Sequence, residues 1–283
     1  MAVQVVAVLG TGVVATEEPV ITADDLGLTR GDGIFDATRV VTDAEGHSVV
    51  EHLDRHLRRL ARSARVVELP APDANAITAL VAEALTAWTT PGEAALKIVH
   101  TRGLEHAATP RATTLLTITE SEPGGRRPLA VATMSRGYAS TTFADAPWLL
   151  GGAKLLSYAV HTAARREAAR RGADDALFVS SDGYALEAPT SSLLWVFDGA
   201  VRTTPTGATG ILGSVTVEIL REWAAAEDVP FEPALIRPAE LHSVTGAWLA
   251  SSVRGVCPIA ALDGVALPMS KTWTDRLASA AGF

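Results

Sequence analysis

The sequence predicts a mixed α+β fold in two domains, on three observations. Strand-like and helix-like runs follow one another in no regular βαβ order. A Pro-Gly-Gly segment, "EPGGRR" at 122–127, separates two such mixtures. A length of 283 residues with 48% hydrophobic content can fill two moderate cores and slightly favours two domains. The division therefore runs as residues 1–121, an interdomain linker at 122–127, and residues 128–283.

In the first part, "QVVAVLG" (4–10) reads as a strand, and "IFDATRVV" (34–41) with "HSVVEHL" (47–53) as a hairpin pair, because β-branched residues dominate them. "HLDRHLRRLARSARVVEL" (52–69) and "DANAITALVAEALTAWT" (73–89) repeat apolar residues near helical spacing. "AALKIVHTRG" (94–103) and "ATTLLTITES" (112–121) read as strands before the linker. Beyond it come the strand "LAVATM" (129–134), a long helix after Lys154, and "DALFVSSDGYALEAPTSSLLWVFDG" (175–199), where Asp182-Gly183 between β-rich runs predicts a hairpin. "GILGSVTVEILREWAAAEDV" (210–229) is a glycine-rich turn entering an amphipathic helix. A helix at "RPAELHSV" (237–244), a strand pair in "AWLASSVRGVCPIAALDG" (247–264) and a closing helix follow.

Net charge of -8 and a pI near 5.4 argue against a nucleic-acid or anionic-membrane surface and point to small-molecule partners. The basic helix "HTAARREAARRG" (161–172) reads as solvated surface. A single cysteine, Cys257, excludes an internal disulfide or a multi-cysteine metal site and suits a reducing, cytoplasmic setting. No signal-peptide pattern and no apolar run of roughly 20 residues is present, so an unexported protein that does not enter the membrane is expected.

Two motifs mislead. "GTGVVA" (10–15) has dinucleotide-loop spacing, yet "TEEPV" follows where a helix should open. His52 and His56 lie at i and i+4 without a third ligand, and read as a helix-surface pair rather than a metal clamp.

Lys154, in "WLLGGAKLLSYAV" (148–160), has no acidic neighbour within six residues. The chain holds three lysines, at 97, 154 and 271, against 21 arginines. Arginine cannot lose its proton to act as an amine nucleophile, whereas a desolvated lysine can. Position alone leaves open a lysine snorkelling from a helix start. An uncharged lysine suits a carbonyl, above all pyridoxal phosphate, which also needs an acid at its pyridine nitrogen and donors for its phosphate. Glu187, on the return strand of the predicted hairpin, suits the first need. Gly210 and Gly213 before a helix N-terminus suit the second, although Ser214 as an ordinary N-cap explains that turn equally well. Ser251 and Ser252 add donors near a strand end. Arg55, Arg58, Arg59 and Arg62 each offer a cation for the phosphate, and sequence physics does not choose among them.

Together "RGDGIFDATRV", "HLRRLARSA", "KIVHTRG", "AKLLSYAV", "DGYALEAPTSSLLWV", "GILGS" and "SSVRGV" resemble the class IV (fold type IV) pyridoxal-phosphate enzymes across nearly the whole chain. That resemblance implies a small N-terminal α/β domain, a larger C-terminal domain with a β-barrel-like core, and a homodimer whose active site lies near the subunit interface. It implies that Lys154 holds the cofactor as a Schiff base, Glu187 faces the pyridine nitrogen and Tyr158 the phenolic oxygen. It selects Arg59 for the phosphate, along with Leu212, Gly213, Ser214 and Val215 in one loop and Ser251 with Ser252 in another. The chain departs from the family pattern at Ser192, where members commonly have Asn, and in reading G-I-L-G-S-V-T where they often have I-L-P-G-x-T.

Within that family, branched-chain aminotransferases resemble each other in a Tyr-x-Arg where this chain has Ala95 and Lys97. D-amino acid aminotransferases resemble each other in an Arg-x-His after T-R-G, where this chain has "LEHAATP". "LKIVHTRG" and "ARRGADDALFVSSDGYALE" resemble 4-amino-4-deoxychorismate lyases, which make 4-aminobenzoate for folate biosynthesis, and in which the strand lysine faces substrate carboxylates. Lys97 is thereby a substrate residue, with Thr38 and Arg102 as further candidates. A class IV aminotransferase, or a bifunctional enzyme, is the alternative.

Overall fold

The computed structural model describes residues 4–106, 111–122, 125 and 127–283; Pro123, Gly124 and Arg126 of the predicted linker lie outside these. The chain forms two compact units, Met1–Pro123 with Ala153–Ser157, and Gly124–Gly152 with Tyr158–Phe283. A division at 122–127 leaves Ala153–Ser157 in the second part. These five residues join the first unit because their backbone pairs there: Phe35 N–H donates to Lys154 O (3.0 Å) and Leu156 N–H to Gly33 O (2.9 Å).

The first unit is a six-stranded antiparallel sheet backed by helices. Its elements are β1 (Gln4–Val8), β2 (Gly12–Val14), α1 (Leu26–Thr29), β3 (Gly33–Thr42), β4 (Ser48–Val50), α2 (Leu53–Val66), α3 (Ala74–Ala87), β5 (Gly92–Thr101) and β6 (Thr113–Glu120). The strand order is β2-β1-β6-β5-β3-β4. "GTGVVA" is thus the turn and return of a β1–β2 hairpin, with Val6 opposite Val14. Alternation in β3 and β5 sends Ile34, Val40, Leu96 and Ile98 to the face covered by α2 and α3, where Leu60, Ile77 and Ala84 are also fully buried. Asp73 caps α3, accepting from Ala76 N–H.

The second unit contains β7 (Leu129–Ser135), α4 (Ala159–Arg170), β8 (Asp175–Val179), β9 (Ser192–Phe197), β10 (Ala200–Thr203), α5 (Val215–Ala226), β11 (Phe231–Pro233), β12 (Gly246–Ser251), β13 (Gly255–Leu262), β14 (Val265–Ala266) and α6 (Lys271–Ala280). Its sheet runs β11-β10-β9-β12-β13-β7-β8, with β14 on β13. Residues 185–187 then bridge β8 to β9, through Val179 with Ala185 and Glu187 with Ser192, so a ring of strands closes on itself. Alternate residues of every ring strand fill its interior, among them Val131, Leu177, Leu193, Leu249 and Ile259. The outward residues pack under helices: Ala176 and Phe178 against Ala164 and Ala168 of α4, and Leu194, Trp248 and Val256 against Leu220 of α5 and Leu277 of α6. The barrel-like core expected from the family resemblance is present. The region read as a helix at 237–244 is a 3-10 turn, Pro238–Ser243.

Among the described residues no helix is long and apolar enough to cross a membrane.

Candidate active site

The first unit contributes two charged groups on opposite faces of its sheet. On the helix-covered face, Asp36 accepts both Nε–H (2.9 Å) and Nη2–H (2.7 Å) from Arg59, while His56 Nδ1 lies 2.7 Å from the same carboxylate. All three are buried. Burial by itself would raise the pKa of Asp36, but the Arg59 guanidinium and the bonds from Arg59 and His56 outweigh it and hold the carboxyl well below the usual range. Burial pushes the His56 pKa down, against the opposing pull of Asp36. His56 is therefore no surface residue: the helix-surface reading holds for the exposed His52 at the N-cap and fails for His56, because α2 turns it towards β3. The bidentate grip of Asp36 sets the plane of the Arg59 guanidinium.

Ser63, one helical turn after Arg59 on α2, accepts a hydrogen bond from Lys154 N–H (3.1 Å). Together with the β3 pairing, this holds the lysine backbone at two points. The Lys154 Nζ lies 4.6 Å from the centre of the Phe35 ring, and Lys97 Nζ lies 4.8 Å from the centre of the same ring. Phe35 and Lys97 share the sheet face opposite Asp36, since Lys97 pairs with Ala37 and Phe35 with Val99. The Lys97 side chain makes no ion pair or hydrogen bond among the described residues, and partial desolvation lowers its pKa.

Thr38 and Arg102 are placed otherwise. Thr38 lies on the buried face and its hydroxyl donates to Glu51 O (2.6 Å). Arg102 binds Asp32 through Nε (2.5 Å) and Nη2 (3.2 Å), and reaches the carbonyls of Glu68 and Val67 at the end of α2.

In the second unit, Glu187 lies in the segment that closes the barrel, half-buried, and its Oε2 accepts from Leu212 N–H at 3.4 Å. Tyr158 donates its phenolic hydrogen to Pro189 O, two residues further on. The hairpin ahead of Glu187 is tight as predicted, with Gly183 at φ +90°, a conformation that favours glycine. Asp182, held at a pKa of about 2 by bonds from the Ser180 and Ser140 hydroxyls, pins that turn.

The two loops expected to hold a phosphate meet. Thr216 Oγ1, in the first turn of α5, lies 3.2 Å from Ser252 Oγ at the β12–β13 turn. Ser214 caps α5, accepting from Val217 N–H (3.3 Å), so the capping reading of that turn also holds. Gly210 could be no other residue: its φ is +72°, and a Cβ there would lie 2.3 Å from the Phe143 ring. A Cβ on Gly213 would meet nothing within 4 Å, so open space lies over this loop. Two hydroxyls and a helix N-terminus beside open space are the kind of donors an anion needs. That donor set fits the phosphate of a pyridoxal cofactor; within the first unit, a lysine amine held over a ring suits a carbonyl partner.

Sequence reasoning missed Asp36, His56, Phe35 and Thr216. Asp36 carried a signal, a lone acid in the apolar alternation "GIFDATRVV". Phe35 carried none, because only pairing with β5 and the Lys154 segment makes it a shared partner.

Comparison with known proteins points to the same cofactor. The chain is 36% identical over 260 residues, 88% of each chain, to the "Bifunctional aminodeoxychorismate lyase / D-amino acid transaminase" of Mycobacterium tuberculosis. It superposes on a fold IV-transaminase from Curtobacterium pusillum with a TM-score of 0.89 at 37% identity, covering 98% of this chain and 97% of that one. It also superposes on a hypothetical aminotransferase from Mycobacterium tuberculosis in its PLP-bound form, with a TM-score of 0.88 at 33% identity and 98% of each chain covered. The family pattern described as amino-transferase class IV matches residues 33–262, and the chain belongs to that family.

Proposed function

We propose that this chain is a pyridoxal-phosphate enzyme that acts as a 4-amino-4-deoxychorismate lyase, releasing 4-aminobenzoate and pyruvate. The observation that carries the substrate class is Lys97: a cation without an ion pair among the described residues, sharing the Phe35 ring with Lys154. A lone, partly desolvated ammonium on that face calls for a carboxylate, and aminodeoxychorismate has two.

In this reading Lys154 holds the cofactor and, once released, takes the proton from the substrate carbon that carries the amine. When bound, the cofactor supplies a sink for the electrons left on that carbon. Glu187 keeps the pyridine nitrogen protonated, and Tyr158 bonds the phenolic oxygen. Arg59, with the amides and hydroxyls of Leu212–Val215 and Ser251–Ser252, holds the phosphate. Loss of the enolpyruvyl group as pyruvate leaves an aromatic ring, which drives the step. A homodimer is part of the proposal.

D-amino acid transamination at the same site is the second reading. The name of the mycobacterial relative favours it, since that protein is described as doing both. The test is to give purified protein enzymatically made aminodeoxychorismate and follow 4-aminobenzoate by fluorescence and pyruvate by a coupled assay, with D-alanine plus 2-oxoglutarate in parallel. Equal release of both products is the expected result. Glutamate formation without 4-aminobenzoate overturns the lyase in favour of the transaminase.

A further inference from the structure

The chain's three lysines are not scattered at random over function: two of them point at one ring. With Nζ atoms 4.6 and 4.8 Å from the Phe35 centroid, the two ammonium groups lie within about 10 Å of each other, the range over which charges in salt still interact. Phe35 draws both cations to itself, yet each raises the cost of charging the other.

Several charged groups on the elements packed against the Lys154 segment answer one another. On β3 and α2, Asp36, His56 and Arg59 answer one another. Arg39 of β3 pairs with Glu93 of β5 at 3.3 Å, and Asp32 pairs with Arg102. Arg62 of α2 is exposed to water. Lys97, on the same ring, is a positive neighbour whose charge a ligand can cancel.

We propose that Lys97 and Phe35 form a charge-coupled switch on Lys154: while Lys97 is uncovered it disfavours the protonated Lys154 amine, and a substrate carboxylate on Lys97 relieves this and makes Lys154 a stronger base. The amine is then neutral when it must attack a carbonyl. It becomes more basic once a carboxylate substrate is seated and a proton must be accepted. No bond forms or breaks in the switch itself. Lys97 acts here as a positioning residue for the charge state of Lys154, and the inference rests on the proposed role of Lys97 as carboxylate receptor.

The test reads the Lys154 pKa directly in the full chain freed of cofactor, from the pH dependence of trace labelling by acetic anhydride, with the Lys154 peptide quantified by mass spectrometry. Succinate serves as an unreactive dicarboxylate probe. Lys97→Met is expected to slow labelling near neutral pH by about three- to tenfold, the effect of one like charge at this separation. Lys97→Arg, which keeps the charge, should label like the wild type, a rescue that a merely structural role would not give. Succinate should slow labelling of the wild type by a similar factor and leave Lys97→Met unchanged. Equal Lys154 labelling curves in wild type and Lys97→Met overturn the coupling, whatever succinate does. A shifted curve in Lys97→Met with no succinate effect in the wild type instead overturns the carboxylate-receptor reading, and the ligand-driven half of the switch with it.

Discussion

On one face of the six-stranded sheet, Asp36, His56 and Arg59 are buried and satisfy one another; on the other face, Lys97 and Lys154 stand around Phe35, and Lys97 has no counter-charge among the described residues. The strand register is the same on both faces, so the difference lies in what covers them. Where α2 excludes water, a charge must bring its partner or unfold the unit. On the face away from α2, Lys97 stays partly exposed over Phe35 without a counter-charge among the described residues and is available to a ligand. In the proposed reading, balanced charge marks structure and unbalanced charge marks the place a substrate carboxylate would take.

That contrast can be broken in order of expected effect. Lys154→Ala should lower turnover by more than about a thousandfold and abolish borohydride-reducible attachment of the cofactor, both read on purified protein. Retained activity would remove the lysine from the mechanism. Asp36→Ala leaves the Arg59 charge buried without its carboxylate. It should cost about 3–5 kcal/mol in denaturant unfolding and weaken cofactor retention, because the guanidinium loses its orientation. Lys97→Met should do the reverse: unfolding changes by less than about 0.5 kcal/mol, while KM for a carboxylate substrate rises about ten- to a hundredfold. If the two variants behaved alike, the two faces would not differ as described.

The smallest expected effect is a pH dependence of stability. His56 has a lowered folded pKa, so the unfolded chain binds more protons just below about pH 6.5 and stability declines as pH falls through that range. Asp36 also has a lowered folded pKa. Its contribution is complete above the unfolded carboxylate range, near about pH 4, and is lost as the pH drops further towards the folded value. Melting temperature should therefore fall in two stages on acidification. His56→Asn, which can still donate to Asp36, should remove the first stage and leave the second.

Much of the site was legible in residue types. Lys154 stood out as a lysine in an arginine-using chain without acidic neighbours, and Glu187 as an acid among apolar residues beside a predicted turn. Ser214 was legible as a cap and Gly210 as a turn, since both answer local backbone demands. Asp36 and His56 were not, because their partners lie 23 and 20 residues away along the chain. Thr38 and Arg102 show the converse. As residue types they suit a substrate carboxylate, but alternation turns Thr38 to the covered face and the end of α2 engages Arg102.

The sequence by itself determined the α+β composition, the strand and helix order, and the lysine proposed to react, because periodicity, turn residues and nucleophile chemistry are local properties. Only the tertiary structure decided which face of β3 is wet, that the Lys154 segment pairs with the first unit, and that residues 185–187 close the barrel. Those outcomes depend on hydrogen bonds and ring contacts between residues far apart in the chain, which no local pattern encodes.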